Sequence, residues 1–352
     1  VISRAIVIDS ASFAGIIDFD KPTTEKEVLA IDNSRKQRLF LSKLATEYRK
    51  SLKPAETEEL VNQLVNRPLA FTAAKFFQSV KVGPNLVTIL SLLCGVSSGI
   101  LFARGNSTDA LLGAVLLQCM IVFDCADGQL ARITNRSSRF GRIIDTFADL
   151  ATHTSIYWGV AIGLYRTSGS SISFVLALLS QVSMYLHMAL FDHFKNVFIT
   201  VAVPDSKDLL DSLKTMKEQI EWMNTSGSRL SSMVAKMYVW FYRMESIVVS
   251  IGYPPMSVNF YERFPNQERI DAHTREVYTR NMRVATKLWT MIGDTIHLEI
   301  FVVCGILNSL SLIFPIILIY TNAVMIVALV VQRVKYRKLG LDRKVVWQEE
   351  FD

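Results

Sequence analysis

Cysteine is scarce, with four in 352 residues. Cys94, Cys119, Cys125 and Cys304 all fall inside apolar stretches, at spacings that suit neither a zinc site nor a disulfide framework, so they read as small packing residues. Charge is thin as well. Only 20% of residues are charged while 50% are apolar, too greasy for an ordinary soluble domain and too charged for a chain that lies in a membrane throughout. No nucleic-acid motif accompanies the net charge of +6, and its placement beside apolar runs fits anionic lipid headgroups instead. The sequence has no internal repeat and no low-complexity segment, and no charged-then-apolar secretory pattern precedes the first long apolar run.

What is present is a series of apolar stretches close to the roughly 20 residues that a spanning helix needs. Six qualify, at residues 86–104, 109–131, 143–165, 172–194, 289–309 and 311–332. The fold expected is therefore all-α, an integral membrane protein with six transmembrane helices. Short cytoplasmic loops retain Lys and Arg. The turn between the second and third helices holds Arg132, Arg136, Arg139 and Arg142, and the tail holds Arg333, Lys335, Arg337 and Lys338, whereas the opposite turns carry Arg104, Arg166 and then no basic residue. Both termini are expected to face the cytoplasm.

Around this membrane domain (residues 83–200 and 288–338) the chain reads as a soluble appendage over 1–55, an amphipathic helix lying at the cytoplasmic interface over 56–82, a helical cytoplasmic insert over 201–287 and a tail over 339–352. Within the insert, Met233 to Ile251 is apolar enough to suggest a seventh span. That reading would drag Lys236, Arg243 and Glu245 into the bilayer and put the basic tail on the wrong side, so a helix resting at the headgroups is favoured.

The informative stretch runs F-D-C-A-D-G-Q-L-A-R-I-T-N-R-S-S-R-F-G-R-I-I-D-T-F-A-D, from Phe123 to Asp149. Carboxylates within spanning helices are costly to bury and are functional candidates by default. At about 100° per residue, Asp124, Asp127, Gly128 and Ala131 share one face of the second helix, and Asp145 and Asp149 share one face of the third. The basic turn lets those faces meet. Four facing carboxylates cannot all stay ionised at low dielectric without cations between them, and an all-oxygen ligand set suits Mg²⁺ or Mn²⁺ better than zinc. Gly128, Ala131 and Gly141 leave room for a base or phosphate to approach the backbone. Arg132 and the arginines that follow supply forked donors suited to phosphate.

This stretch resembles the CDP-alcohol phosphatidyltransferase family, matching D-x2-D-G-x2-A-R-x8-G-x3-D-x3-D at every specified position. The resemblance implies that Asp124, Asp127 and Asp145 bind metal, two ions in all, while Asp149 contributes to the second ion and activates the incoming hydroxyl as the base. It implies that Gly128, Arg132 and Ser138 touch the CDP portion of a CDP-linked lipid donor. A short P-N-L-V-T element adds Asn85 and Thr88 as donor contacts, with helix capping as their alternative role. The implied reaction passes a phospho-alcohol group to an acceptor alcohol within the bilayer, and the resemblance also implies a homodimer. CDP-diacylglycerol with a small polar acceptor is the commoner arrangement, and a CDP-aminoalcohol with diacylglycerol is the other. Arg139, Arg142 and His153 are candidate acceptor or phosphate contacts. Farther off, His187, Asp192, His193, Asp294 and His297 outline a polar chamber open to the cytoplasm, with Glu299 pointing elsewhere. Two rivals, an intramembrane aspartate-rich prenyltransferase and a carboxylate-based ion carrier, lack this pattern or need acidic groups spread across the membrane.

Overall fold

The computed structural model describes residues 25–52, 54–136, 139–202 and 272–339. Its elements are α1 (Glu25–Ser51), α2 (Arg67–Ser79, led in by a π-helical turn at Asn62–Asn66), α3 (Pro84–Phe102), α4 (Ser107–Thr134), α5 (Arg139–Ser168), α6 (Ile172–Ala202), α7 (Ala272–Trp289), α8 (Asp294–Ile306) and α9 (Leu310–Lys338). No strand occurs among the described residues. The chain divides into two units at Lys50. The first contains nearly all of α1, a charged helix with Arg49 and Lys50 in its last turn; everything below concerns the second.

Local sequence sets the helix ends that matter for the site. Pro84 opens α3 from an extended Gly83, where a missing N–H costs nothing. The Asn106 side chain accepts the Asp109 N–H at 2.8 Å and so caps α4. Asn135 then ends α4 in the left-handed conformation, at φ 51°, and turns the chain toward α5.

Among the described residues, five helical segments are long and apolar enough to cross a membrane: Pro84–Phe102, Ser107–Thr134, Ile172–Ala202, Arg275–Ile306 and Leu310–Lys338. The chain is a multi-pass membrane protein. The expected third span lies within α5, which has 30 residues and packs along α3 and α6 but is less apolar, since Asp145, Asp149 and His153 lie within it. The expected fifth span is not one continuous helix. Its first residue ends α7, which packs against α6 and α9, and the chain breaks at an extended Gly293 before α8 begins. Part of the stretch read as an insert is thus helix α7; residues 203–271, including Met233 to Ile251, lie outside the described residues, as do 1–24 and 340–352.

Lipid offers no hydrophobic drive between helices, so close packing and polar contacts must hold them together. Gly95 and Gly99 on α3 face Thr152, Ser155 and Gly159 on α5; a Cβ on Gly159 would stand 2.1 Å from the Gly99 carbonyl oxygen. The two backbones touch there, and Ser155 Oγ donates to the Val96 carbonyl at 3.1 Å beside the crossing. One apolar cluster gathers Phe102, Tyr157, Phe301 and Phe314, with the Tyr157 and Phe301 ring centres 4.8 Å apart. Another joins α6, α7 and α9, where Phe194 stacks on Trp289 at 4.7 Å. Leu93, Ile100, Leu178, Val182, Ile319 and Val330 point outward, giving the bundle an apolar exterior.

The segment before α3 reverses the usual arrangement of an amphipathic helix. Leu60, Leu64, Leu69 and Phe76 are exposed, whereas Asn62, Asn66 and Arg67 are buried together with Ala70 and Ala74. Its polar side packs on α4 and α8: Asn62 Nδ2 donates to Thr295 Oγ1 at 2.8 Å, Asn66 Nδ2 to Glu299 Oε1 at 2.9 Å, and Gln118 Nε2 to Asn66 Oδ1 at 2.9 Å. Hydrogen bonds made away from water fix this docking in a way that apolar contact in lipid could not.

Candidate functional site

Three carboxylates converge where α4 meets α5. Asp124, Asp127 and Asp145 each offer an oxygen, and these oxygens lie within 4.8 Å of one another. The first two come from one face of α4 and the third from α5, as the spacing predicts. Asp127 is buried and its two neighbours are half-buried. At that separation, three ionised groups would repel by roughly 3 to 4 kcal/mol per pair even at an effective dielectric constant of about 20. A shared cation relieves this repulsion, and three convergent oxygens in a partly buried corner are a fitting donor set for a hard divalent ion such as Mg²⁺ or Mn²⁺.

The surrounding residues hold the cluster. Thr88 Oγ1 on α3 donates to Asp127 Oδ2 at 2.5 Å, so this residue of the P-N-L-V-T element braces a carboxylate. Asn85 lies one turn earlier on α3 and is half-buried. On the basic side, Arg132 Nε donates to the Ser51 carbonyl at 2.7 Å. Its two terminal nitrogens stand 3.7 Å from where a Cβ on Gly128 would be, so the guanidinium flanks the glycine's open side. Ala131 and Gly141 are half-buried, and Gly141, Arg139 and Arg142 belong to the first turns of α5. Ser138 lies outside the described residues.

Asp149 sits one turn beyond Asp145 and is not one of the carboxylates brought within 4.8 Å of each other. It is half-buried and within electrostatic reach of Asp124, Asp145, Asp294 and Asp127. His153, another turn on, is buried with Nε2 2.8 Å from Asp294 Oδ1. The deeper histidines serve helix contacts: His187 Nδ1 meets His297 Nε2 at 3.2 Å, His297 Nδ1 approaches Tyr157 Oη at 3.4 Å, and Asn322 Nδ2 donates to Ser183 Oγ at 2.7 Å beside His187. Asp192 is bonded to Lys195, His193 is buried against Phe194, and Glu299 turns toward Asn66.

Sequence reasoning missed the residues that brace the site from behind. Arg67 Nη2 reaches both oxygens of Glu58 at 3.1 and 3.2 Å in a buried ion pair, and Gln129 Nε2 donates to the Arg67 carbonyl at 3.3 Å. Glu59 is also buried, with Oε1 accepting the Thr295 N–H at 3.3 Å in the first turn of α8. The available signal was the high density of polar residues in a segment whose apolar side is already complete, at Glu58, Glu59, Asn62, Asn66 and Arg67.

Residues 81–205 match the family model of CDP-alcohol phosphatidyltransferases. Among relatives, the archaetidylinositol phosphate synthase of Pyrococcus horikoshii is 31% identical over 99 residues, 28% of this chain and 50% of that protein. The CDP-diacylglycerol–serine O-phosphatidyltransferase of Mycobacterium leprae is 32% identical over 118 residues, 32% of this chain and 37% of its own. A bifunctional IPC transferase and DIPP synthase of Thermococcus kodakarensis is 26% identical over 138 residues, 39% of this chain and 30% of that one. The chain thus spans half or less of each of these proteins.

Proposed function

We propose, from the membership of residues 81–205 in the CDP-alcohol phosphatidyltransferase family, that this chain is a membrane transferase moving a phosphatidyl group from a CDP-linked lipid, CDP-diacylglycerol, to a small polar alcohol with release of CMP. The observation that carries the reading is the convergence of the Asp124, Asp127 and Asp145 carboxylates within 4.8 Å beside the open flank of Gly128 and the Arg132 guanidinium. Acidic ligands for cations and a forked phosphate donor on one wall are what a nucleoside diphosphate demands.

In this reading Asp124, Asp127 and Asp145 hold divalent cations, with Asp149 contributing to the second. Ions held there would supply positive charge to the diphosphate and to the leaving CMP. Thr88 keeps Asp127 in place, Gly128 admits the donor to the α4 backbone, and Arg132 meets a phosphate oxygen while Ser51 fixes its orientation. Asn85, Ala131, Ser138 and Gly141 complete the donor side. Asp149 accepts the proton of the attacking hydroxyl as the new P–O bond forms opposite the bond to CMP. We further propose that α5 crosses the bilayer as a sixth span, that the site opens to the cytoplasm, and that the enzyme works as a homodimer.

The test is CMP release from CDP-diacylglycerol by the purified full-length chain, with Mg²⁺ or Mn²⁺ and a panel of acceptor alcohols. Asp124→Asn and Asp145→Asn should abolish release while the protein stays folded and membrane-inserted, since a neutral amide does not replace an anionic ligand. Near-normal turnover in either variant would overturn the site assignment.

A further inference from the structure

Arg132 takes its orientation from outside residues 81–205, the stretch that matches the family. Its Nε donates to the carbonyl of the buried Ser51 at 2.7 Å, which leaves Nη1 and Nη2 to flank Gly128. The chain that follows Ser51 is itself held in place. Thr57 donates to the Pro54 carbonyl through both its N–H, at 3.1 Å, and its Oγ1, at 3.0 Å, closing a tight turn. Gln63 Nε2 clasps that turn from one side, donating to the Ala55 carbonyl at 2.7 Å and the Glu58 carbonyl at 2.8 Å. Lys287 Nζ of α7 reaches the Ala55 carbonyl as well, at 3.1 Å.

The turn delivers Glu58 to Arg67, and the pair closes a ring. Both Glu58 oxygens accept from Arg67 Nη2, the Arg67 carbonyl accepts from Gln129 Nε2 at 3.3 Å, and Gln129 stands one turn before Arg132 on α4. The path leaves α4 at Arg132, runs through Ser51, Glu58 and Arg67, and returns to α4 at Gln129. Glu58, Arg67 and Gln129 are all buried. A buried ion pair adds little net stability, because desolvation offsets the attraction of its charges, so its main consequence is the position it fixes. Here it also settles a conflict of charge. Arg132 lies within electrostatic reach of both Arg67 and Glu58, and Arg67 within reach of Asp124. Without Glu58, the Arg67 guanidinium would push on Arg132 and be drawn toward the three-aspartate cluster.

We infer that Glu58 is a positioning residue for the donor: through Arg67 and the turn at residues 54–57 it holds the Ser51 carbonyl that aims the Arg132 guanidinium at the diphosphate. This rests on the transferase reading above. Glu58 touches neither the donor nor the aspartates, and acts only through Arg132. An arginine anchored at Nε keeps its two terminal nitrogens free for phosphate oxygens, and a guanidinium ordered before binding loses less entropy when the donor arrives. The donor site therefore draws on residues 51–67 as well as on the α4–α5 hairpin.

The experiment is a double-mutant cycle on the full-length protein in lipid nanodiscs with Mg²⁺. Affinity for CDP-diacylglycerol is measured for the wild type, Glu58→Gln, Arg132→Lys and the double variant. Arg132→Lys keeps the charge but has no Nε–H for Ser51, so the ring no longer reaches the residue it aims. Each single change should weaken donor binding by about tenfold or more, the scale of one charge-assisted hydrogen bond, and the double variant should bind no more weakly than Arg132→Lys. In Glu58→Gln, kcat at saturating donor should stay near the wild-type value, which a loss of folded protein would not allow. If Glu58→Gln does not fold, Gln63→Ala, which loosens the same turn from a half-buried position, takes its place in the cycle. Unchanged donor affinity in the single variant, with or without a fall in kcat, or losses that multiply in the double variant, overturns the role of Glu58 and leaves the transferase reading standing. Failure of the wild type to bind the CDP-linked donor overturns both.

Discussion

Thr88 Oγ1 and Asp127 Oδ2 are joined across 2.5 Å, from the first turns of α3 to the inner face of α4. The threonine thereby fixes the orientation of a carboxylate in the three-aspartate cluster, and partners that orient a ligand in this way tune the affinity for a metal. Thr88→Val keeps the shape and loses the donor. It should weaken the apparent Mg²⁺ or Mn²⁺ affinity by about 10- to 100-fold, while Thr88→Ser stays close to the wild type. A metal titration of CMP release checks this, and an unchanged half-saturation point in Thr88→Val would remove Thr88 from the site's support.

The α3–α5 crossing gives a prediction about stability. A Cβ at Gly159 would stand 2.1 Å from the Gly99 carbonyl oxygen, which is backbone and has no rotamer to yield. Gly159→Ala must therefore push α3 and α5 apart, at a cost of about 1–3 kcal/mol or more for overpacking. Because Thr88 and Asp145 ride on those two helices, activity should fall with stability. Thermal unfolding in detergent and CMP release, measured on the same sample, are the readouts; a variant as stable as the wild type would mean that the helices pack less closely than described.

How far the site was legible follows from where each partner sits in the chain. Asp124, Asp127 and Asp145 lie within one helical hairpin, so face periodicity and a short turn suffice to bring them together. Gly95–Gly99 and Gly159–Gly163 each carry the small-residue spacing of helix contacts, yet nothing in either segment says that the other is its partner. Asn62 finds Thr295, and Asn66 finds Glu299, 233 residues away. Only the folded bundle could reveal those pairs. Asp149 shows a subtler limit: sharing a face with Asp145 set it close to the cluster, but one turn of helix separates it from the three oxygens that converge.

Glu59 makes stability depend on pH. Its carboxyl is raised from 4.5 to about 8, first by burial and then by Asp294, with Glu58 adding to the repulsion and the Thr295 contacts opposing it. The folded state then holds a proton that the unfolded chain releases near 4.5. The contribution to stability is fully present below that value and is lost as pH rises through about 8. Wild-type Tm in detergent should decline between pH 5 and 9, roughly the window set by this linkage, and Glu59→Gln should flatten that part of the profile. An identical decline in Glu59→Gln would assign the dependence to other groups.

The last prediction separates binding from chemistry at Asp149. A hydroxyl is a poor nucleophile at neutral pH and needs an acceptor for its proton as attack proceeds. Asp149 stands a turn beyond Asp145, outside the set of oxygens within 4.8 Å but within electrostatic reach of all three aspartates. From there a carboxylate can meet an acceptor approaching the phosphorus opposite CMP, as in-line displacement requires. Asp149→Asn should therefore retain the CDP-linked donor, held through Asp124, Asp127, Asp145 and Arg132, yet lose transfer by about 100- to 10,000-fold, the usual worth of a general base. Donor titration beside a single-turnover assay distinguishes the roles. If donor affinity collapses as it does in Asp124→Asn, Asp149 acts mainly as a metal ligand, and the proton must go to another group nearby, with His153, already held by Asp294, the next to test.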